Sequence, residues 1–472
     1  MGVEDFIGAI DLAAQIRARS ISPLEALEAS IERIDRFNPT LNAVIWRDDE
    51  MARAEAVALG DCLTRGEEVG PFAGVPYVVK DLTKANGQPV TYGSGAVPKT
   101  PAGEDELVIA ALRRAGFVAC GRTNTPEFGP LTASENSYYG ITRNPWDTTR
   151  TPGGSSGGTA AAVASGMVPI GHGNDGGGSI RIPSSCCGLV GLKPSRWRVP
   201  SVTPGWMGIS VEGVLTRSVA DSAAILDCIS QPDLSTWEQA PQPSRPFADE
   251  VGADPGRLRI ALLTTSALGV PVERGPREAC ESTGRLLESL GHSVEMLDQD
   301  VLDLSAVEPF LSVVNTSYGA FDDVDWDRVE PHNRVGHDAG LAVDGLAVVR
   351  AINALREMTR PVVKRWGTDF DLLVTPTLTI EPPPAGQLLA EAHANPEMPP
   401  PTALAMVAFT VTFNLTGQPA VSLPLGRGTG GIPIGVQLVG APWGEAQLIR
   451  VASQLEDAAP WSERHPEMVA PA

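Results

Sequence analysis

The sequence has few cysteines and lacks long apolar runs, and each of these features excludes a class of protein. Its six cysteines show no CxxC spacing, so neither a disulfide framework nor a cysteine zinc site is predicted. The adjacent Cys186 and Cys187 are interpreted as reduced thiols, at least one of them buried, rather than as a vicinal disulfide. No stretch of about 20 apolar residues is present, so no membrane span is expected.

Positive charge is also scarce. Lysine and arginine together number 36 against 57 acidic residues, which gives a formal net charge of −21. Such a surface repels phosphate backbones and anionic lipids, so neither nucleic acid nor a membrane is expected as a partner. The acidic start at residues 1–6 lacks the basic and then apolar pattern of a secretory signal. A cytoplasmic location is therefore the expectation.

What is present alternates between strand and helix patterns. Ser22-Pro23 predicts a helix start, with a serine cap followed by proline at the first helical position. The apolar, β-branched residues 75–80 predict a strand. A helix over 104–115 and a strand over 117–120 follow, and this alternation favours an α/β architecture. Further strands are predicted over 258–264, 293–297, 371–377 and 432–439, with a helix over 277–290.

Two glycine-rich segments are the most unusual part of the chain. The sequence GGSSGG occupies residues 153–158, and NDGGGSIR occupies 174–181. Successive N–H groups without side chains can form a nest for an oxyanion. The alternative is a phosphate-binding loop, but the Gly-Lys-Ser/Thr of a Walker loop is absent, and GxGxxG after a strand fits neither segment well.

A serine nucleophile in these segments needs a neighbouring base. None of the six histidines has nucleophile-elbow or zincin spacing, and His172 would need an acidic partner to serve Ser179. Lys80 ends an apolar strand, where burial could keep its amine neutral and basic. A surface lysine at a strand end is the more common situation, so the residues alone leave both interpretations open.

Taken together, these segments resemble the amidase signature family. The resemblance rests on Lys80, on GGSSGG at 153–158, on DGGGSIRIP at 175–183 and on CGLVGLKP at 187–194. It extends along nearly the whole chain and leaves 230–257 and 300–365 as variable ground. Additional matching blocks lie at 123–129, 144–146, 215–221, 371–377, 417–420 and 433–437.

The resemblance implies one large α/β domain over residues 1–472, with a mixed twisted sheet covered by helices on both faces. Within it we expect N-terminal helices at 1–65, the signature core at 66–230, a surface connector at 231–257 and the rest of the sheet at 258–472. The variable stretch 300–365 and a proline-rich loop at 381–401 are expected to shape the substrate pocket.

The resemblance also assigns roles to individual residues. Ser179 matches the nucleophile, Ser155 a bridging serine in a cis peptide bond and Lys80 the base, with no metal or organic cofactor. The N–H of Ser179 is expected to bind the oxyanion together with those of three glycines, and Gly129 is expected to contact substrate. The three glycines are Gly176, Gly177 and Gly178, and the expected structural supports are Ser156, Asp175 and Arg181.

The implied activity is hydrolysis of small or hydrophobic amides, with aryl amides, carbamates and esters as further candidates. The Asn174–Ser179 variant of the motif resembles a subgroup with bacterial general amidases and the nylon-oligomer cyclic-dimer hydrolase. Two alternatives are the glutaminase-type A subunit of a tRNA-dependent amidotransferase and a non-catalytic binding protein on the same fold. Ile182, where the A subunit commonly has glutamine, argues against the first. The expected partners are the amide substrate and water, and a homodimer is one candidate assembly.

Overall fold

The computed structural model describes residues 3–266, 268–297 and 306–467, and helices and strands alternate along most of them. The helices are α1 (Ala9–Arg17), α2 (Pro23–Leu41), α3 (Asp49–Arg65), α4 (Leu107–Arg114), α5 (Gly157–Ala164), α6 (Arg181–Cys187), α7 (Val219–Ile229), α8 (Arg274–Ser289), α9 (Val307–Ser317), α10 (Pro331–Leu341), α11 (Gly345–Val363), α12 (Gln387–Ala394), α13 (Pro401–Val407), α14 (Val411–Leu415) and α15 (Glu445–Ala458). The strands are β1 (Val44–Trp46), β2 (Pro76–Lys80), β3 (Val118–Thr123), β4 (Glu135–Asn136), β5 (Gly140–Ile141), β6 (Ile170–Asp175), β7 (Val190–Lys193), β8 (Val211–Thr216), β9 (Arg259–Leu262), β10 (Ser293–Met296), β11 (Leu372–Pro376), β12 (Ala420–Arg427) and β13 (Pro433–Val439).

Eleven of the described strands form one mixed sheet in the order β1-β3-β2-β6-β8-β7-β12-β13-β11-β9-β10. Strand β2 runs parallel to β3 and β6, whereas β6 runs antiparallel to β8. Because successive side chains of a strand point to opposite faces, Tyr77 and Val79 enter one core and Val78 the other. The first core includes residues of α1, α4, α7, α8 and α15, and the second includes residues of α2, α3, α5 and α6. The predicted α/β fold with helices on both faces is confirmed.

In the N-terminal half, the predicted helix start and strand are confirmed, and the prediction of helices throughout residues 1–65 is corrected. Helix α2 begins after Ser22, whose Oγ accepts the Glu25 N–H at 3.1 Å while the Glu25 carboxylate accepts the Ser22 N–H at 2.7 Å. The predicted strand at 75–80 is β2. Residues 1–65 are not entirely helical, because β1 pairs antiparallel with β3 at the edge of the sheet. The Val-Ile-Trp composition of β1 suits a strand.

The predicted loop at 381–401 is a second correction, since α12 occupies residues 387–394 within it. The connector at 231–257 contains one short 3₁₀ helix, Phe247–Glu250, whose Phe247 is buried. Part of the variable stretch, 300–305, lies outside the described residues. The six cysteines are all free, and Cys186 and Cys187 are both buried, as predicted. Over the described ranges, no helix combines the length and apolar character that crossing a bilayer requires.

Candidate active site

Three elements bring the predicted catalytic residues to one edge of the sheet. Lys80 is the last residue of β2, and Ser179 lies in the turn between β6 and α6. Since β2 and β6 are parallel neighbours, their carboxyl ends meet at the same edge. Ser155 lies in the short loop before α5, whose first N–H, that of Gly157, is held by Ser134 Oγ at 2.8 Å.

Lys80 is fully buried and its amine faces hydroxyl and amide oxygens. Its Nζ lies 2.7 Å from Ser155 Oγ, 2.5 Å from Asn174 Oδ1 and 3.5 Å from the Asn174 carbonyl oxygen. Burial lowers the pKa of Lys80 to about 7, against the opposing fields of Glu212 and Asp175. Of the two interpretations that the sequence left open, the structure therefore supports the desolvated lysine and not the surface one.

The loop around Ser155 is built so tightly that only glycine fits beside it. The Gly154–Ser155 peptide bond is cis, as the resemblance implies. A Cβ on Gly154 would lie 2.6 Å from backbone atoms of Ala133. The Ser155 carbonyl accepts a hydrogen bond from Ser134 Oγ at 2.9 Å, and the N–H of Ser156 donates to the Ser179 carbonyl at 3.2 Å. The two glycine-rich segments are thus joined through their backbones.

Ser179 faces a cavity and keeps its hydroxyl free. The residue is 9% exposed and lines the cavity together with Gly129 and Gly177. Its Oγ makes no hydrogen bond within the described part of the chain, so the bond to Ser155 that a proton relay needs is not formed here. A Cβ on Gly129 would lie 3.8 Å from Ser155 Oγ, which puts this glycine beside the same hydroxyl.

The predicted nest of N–H groups is present in part. The N–H of Gly178 donates to Asp175 Oδ1 at 2.8 Å and is therefore not available to an oxyanion, contrary to the prediction. The reason is local, because Gly178 has a φ of +135° and turns its N–H back toward the end of β6. The N–H groups of Gly176, Gly177 and Ser179 have no acceptor among the residues that the structure describes.

Asp175 and Arg181 form a fully buried, bidentate ion pair under the nucleophile loop. Arg181 Nη2 lies 2.8 Å from Asp175 Oδ1, and Nε lies 2.9 Å from Oδ2. The guanidinium also donates to Gln437 and Asn414. Burial disfavours the carboxylate, but Arg181 outweighs it and holds the pKa of Asp175 well below its ordinary value. The pair has the geometry expected of a structural support.

Other candidate residues have separate partners. The buried His172 places Nε2 2.8 Å from a Glu212 carboxylate oxygen. It makes no hydrogen bond to Ser179, so the histidine alternative has no geometric support within the described residues. Ser156 Oγ donates to the Asn174 carbonyl at 3.3 Å, which suits a supporting role.

The cavity above Ser179 has a volume of about 300 Å³ and walls that are mostly apolar. Trp206 lines it, whereas the side chains of Tyr138 and Met207 are exposed. Much of the wall comes from α9 and α10, which lie in the variable stretch 300–365, and from α13 and α14, which follow the proline-rich segment 381–401. No residue-level signal in the sequence marks the lining positions, which include Phe310, Leu311, Val314, Tyr318, Leu404, Val407, Val411 and Leu415.

Comparison with known proteins identifies the family of this chain. The family profile described as Amidase matches residues 25–449. The 6-aminohexanoate-cyclic-dimer hydrolase of Pseudomonas sp. (strain NK87) is 37% identical, over 97% of this chain and 96% of its own. The chain belongs to the amidase signature family. It is therefore an enzyme that hydrolyses amide bonds.

Two solved structures of this family share the fold. A 6-aminohexanoate cyclic dimer hydrolase superposes with a TM-score of 0.92 at 36% identity, over 99% of this chain and 100% of that one. A bacterial aryl acylamidase, assigned to the amidase signature enzymes, gives a TM-score of 0.87 at 26% identity over 97% of each chain. The single-domain α/β arrangement seen here is thus that of amidase signature enzymes.

Proposed function

We propose that this amidase cleaves small or hydrophobic amides through an acyl-enzyme, with Ser179 as nucleophile, Ser155 as bridging hydroxyl and Lys80 as base. The observation that carries the proposal is the buried Lys80 amine, 2.7 Å from Ser155 Oγ, with a pKa lowered by burial to about 7. A serine hydroxyl is a weak nucleophile at neutral pH without such a base.

The proposed reaction moves one proton along two hydroxyls. Neutral Lys80 accepts a proton from Ser155, which accepts one from Ser179 as Ser179 Oγ attacks the carbonyl carbon. The proton then returns through Ser155 to the departing amine, and the C–N bond breaks to leave the acyl-enzyme. Water repeats the relay, with its proton passing through Ser155 to Lys80 and then back to Ser179. No metal or organic cofactor takes part in this scheme.

The oxyanion would be held by N–H groups that have no other acceptor. Gly176, Gly177 and Ser179 supply three such donors, whereas the N–H of Gly178 is bound to Asp175. Removing one donor of this kind typically raises the barrier by about 3–4 kcal/mol. Gly177 also lines the cavity, which favours its N–H as the first donor to a substrate carbonyl bound there.

The shape and polarity of the cavity favour an apolar acyl or amine group. Glu397 is the one carboxylate among the described lining residues, and His332 the one imidazole. Relatives named for a cyclic amide dimer and for aryl acylamides agree with this preference. Carbamates and esters carry the same carbonyl centre, so we propose them as secondary substrates, including urethanase activity.

Two other functions fit less well. A glutaminase-type A subunit of an amidotransferase would have to bind a zwitterionic amino acid, which needs charged partners that the described walls largely lack. Its common glutamine is replaced by the buried Ile182. A non-catalytic binding protein has no need of a buried lysine against Ser155. Copurification of a partner subunit would favour the first alternative.

The test combines covalent labelling with kinetics. A fluorophosphonate should label the protein at Ser179 and should not label Ser179→Ala. Lys80→Ala should lower anilide hydrolysis near neutral pH by about 10²–10⁴-fold, the usual contribution of a general base. The exposed Lys84, four residues along, is the matched control, and Lys84→Ala should keep the wild-type rate.

The pH dependence of the rate is a second, independent test of Lys80 as the base. Only the neutral amine can accept a proton, so kcat/KM should fall about tenfold per pH unit below the pKa of Lys80, near 7, and level off above it. An unchanged rate in Lys80→Ala would rule out the lysine base, and labelling that persists in Ser179→Ala would rule out the nucleophile.

A further inference from the structure

Glu330, His332 and His393 bring three metal-binding side chains together beside the cavity. Their ligand atoms lie within 4.8 Å of one another. Glu330 precedes the first residue of α10, His332 lies in the first turn of that helix, and His393 lies in the last turn of α12. Because α10 packs against α12, residues far apart in the sequence converge on one point.

The separation of these atoms suits a shared cation better than direct hydrogen bonds. Nε2 of His332 lies 3.7 Å and Nε2 of His393 lies 3.9 Å from the same oxygen, Oε2 of Glu330. Both distances are too long for hydrogen bonds. Zinc bonds of about 2.0–2.2 Å at tetrahedral angles place neighbouring ligand atoms roughly 3.4 Å apart. The two imidazole–carboxylate distances exceed this spacing by a few tenths of an ångström, and all three ligand atoms lie within 4.8 Å, so binding an ion would draw the carboxylate and both imidazoles inward.

The polar atoms of the cluster also lack other partners. Glu330 Oε2 and both ring nitrogens of His332 are buried and have no hydrogen-bond partner among the described residues. The Glu330 side chain is 5% exposed and that of His332 10%. Leaving buried polar groups of this kind unpaired destabilises a fold. The other Glu330 oxygen accepts the Ser137 N–H at 2.7 Å, which holds Oε2 toward the histidines.

We propose that Glu330, His332 and His393 bind a divalent transition-metal ion of the zinc class. Two imidazoles and one carboxylate are ligands that zinc favours, and three protein ligands leave a fourth position open. His332 lines the cavity, so water or a polar group of a cavity ligand can occupy that position. The ion would tie α10 to α12 at the cavity wall. It takes no part in the serine relay, and the proposal does not depend on that relay.

Zinc uptake by the full chain tests the site. Protein stripped with a chelator is dialysed against ZnCl₂, and bound zinc is measured by atomic absorption. Wild type should bind one equivalent, and Co²⁺ in its place should give the intense visible bands of a four-coordinate ion. His332→Asn and His393→Asn should each weaken binding by more than about 100-fold, the upper range for losing an outer-shell partner. Glu330→Gln, which keeps an acceptor for Ser137, should also weaken it.

The matched control is His337→Asn, on the same helix but outside the cluster, where His337 stacks on Trp326. This variant should keep the single zinc. Zinc should raise the melting temperature of wild type and of His337→Asn but not that of the His332→Asn/His393→Asn double variant. Absence of zinc uptake by wild type, or equal uptake by the folded double variant, would overturn the proposal. Either result leaves the serine-labelling test of the hydrolase unaffected.

Discussion

The loop that carries Ser179 and the helices that face it across the cavity satisfy their polar groups in different ways. In the loop, the Asp175 carboxylate accepts from the N–H groups of Gly178 and Ile180 and from the Arg181 guanidinium. The facing helices present mainly aliphatic and aromatic side chains, and where they carry polar atoms several remain unpaired. We call the Ser179 loop with its Asp175–Arg181 pair the floor, and the apolar side chains of α9, α10, α13 and α14 that line the cavity the walls. Directional hydrogen bonds, including those of Asn414 in α14, fix the floor, whereas packing fixes the walls.

Breaking the floor should give the largest effect. Asp175→Asn keeps the shape of the side chain but leaves the buried Arg181 charge unpaired, and losing one partner of a buried pair typically destabilises a protein by about 3–5 kcal/mol. We expect a matching fall in the free energy of unfolding in urea. Arg274→Ala breaks the surface pair with Glu278 and should leave the urea midpoint unchanged. Equal effects of the two variants would contradict this comparison.

The floor was also the part that the sequence could predict. Its residues lie in contiguous motif segments, so the sequence could single out Lys80, Ser155 and Ser179 as candidates, and the structure places the Lys80 amine beside Ser155. The direction of the Gly178 N–H could not be predicted, because it depends on the Asp175 side chain, which accepts this N–H and keeps it from an oxyanion. Competition for a hydrogen bond depends on three-dimensional geometry that spacing does not encode.

The walls could not be predicted residue by residue. Phe310 and Val411 look like core residues in the sequence, since nothing in an apolar pattern distinguishes a cavity from a core. Two short elements were also missed in the sequence. Strand β1 has only three residues, and prolines on both sides of α12 favoured a loop there. The Glu330–His332–His393 cluster escaped notice because tertiary packing, not spacing, joins its two helices.

Altering a wall should change selectivity more than turnover. Phe310→Ala removes an aromatic ring from the cavity, where it packs edge-on against Trp206. Losing apolar contacts of this size changes discrimination by about 1–3 kcal/mol, or roughly 5–150-fold. We expect KM for a bulky anilide to rise by such a factor while kcat/KM for a short aliphatic amide changes little. Leu346→Ala, at an exposed position of α11, is the control. A uniform loss for both substrates would show that Phe310 supports the floor instead.

The smallest expected effect is a shift in the pKa of the Lys80 amine when its neighbour Asn174 is replaced. Asn174→Leu replaces the amide oxygen that lies 2.5 Å from Lys80 Nζ with a side chain of similar size. A hydrogen bond to the charged ammonium is stronger than one to the neutral amine, so its loss disfavours the ammonium. The pKa of Lys80 should therefore drop further, and the midpoint of the pH–rate profile should move below its wild-type value near 7. A structural defect alone would lower kcat at every pH without moving the midpoint, and a shift toward alkaline pH would contradict the inference that Asn174 stabilises the Lys80 ammonium.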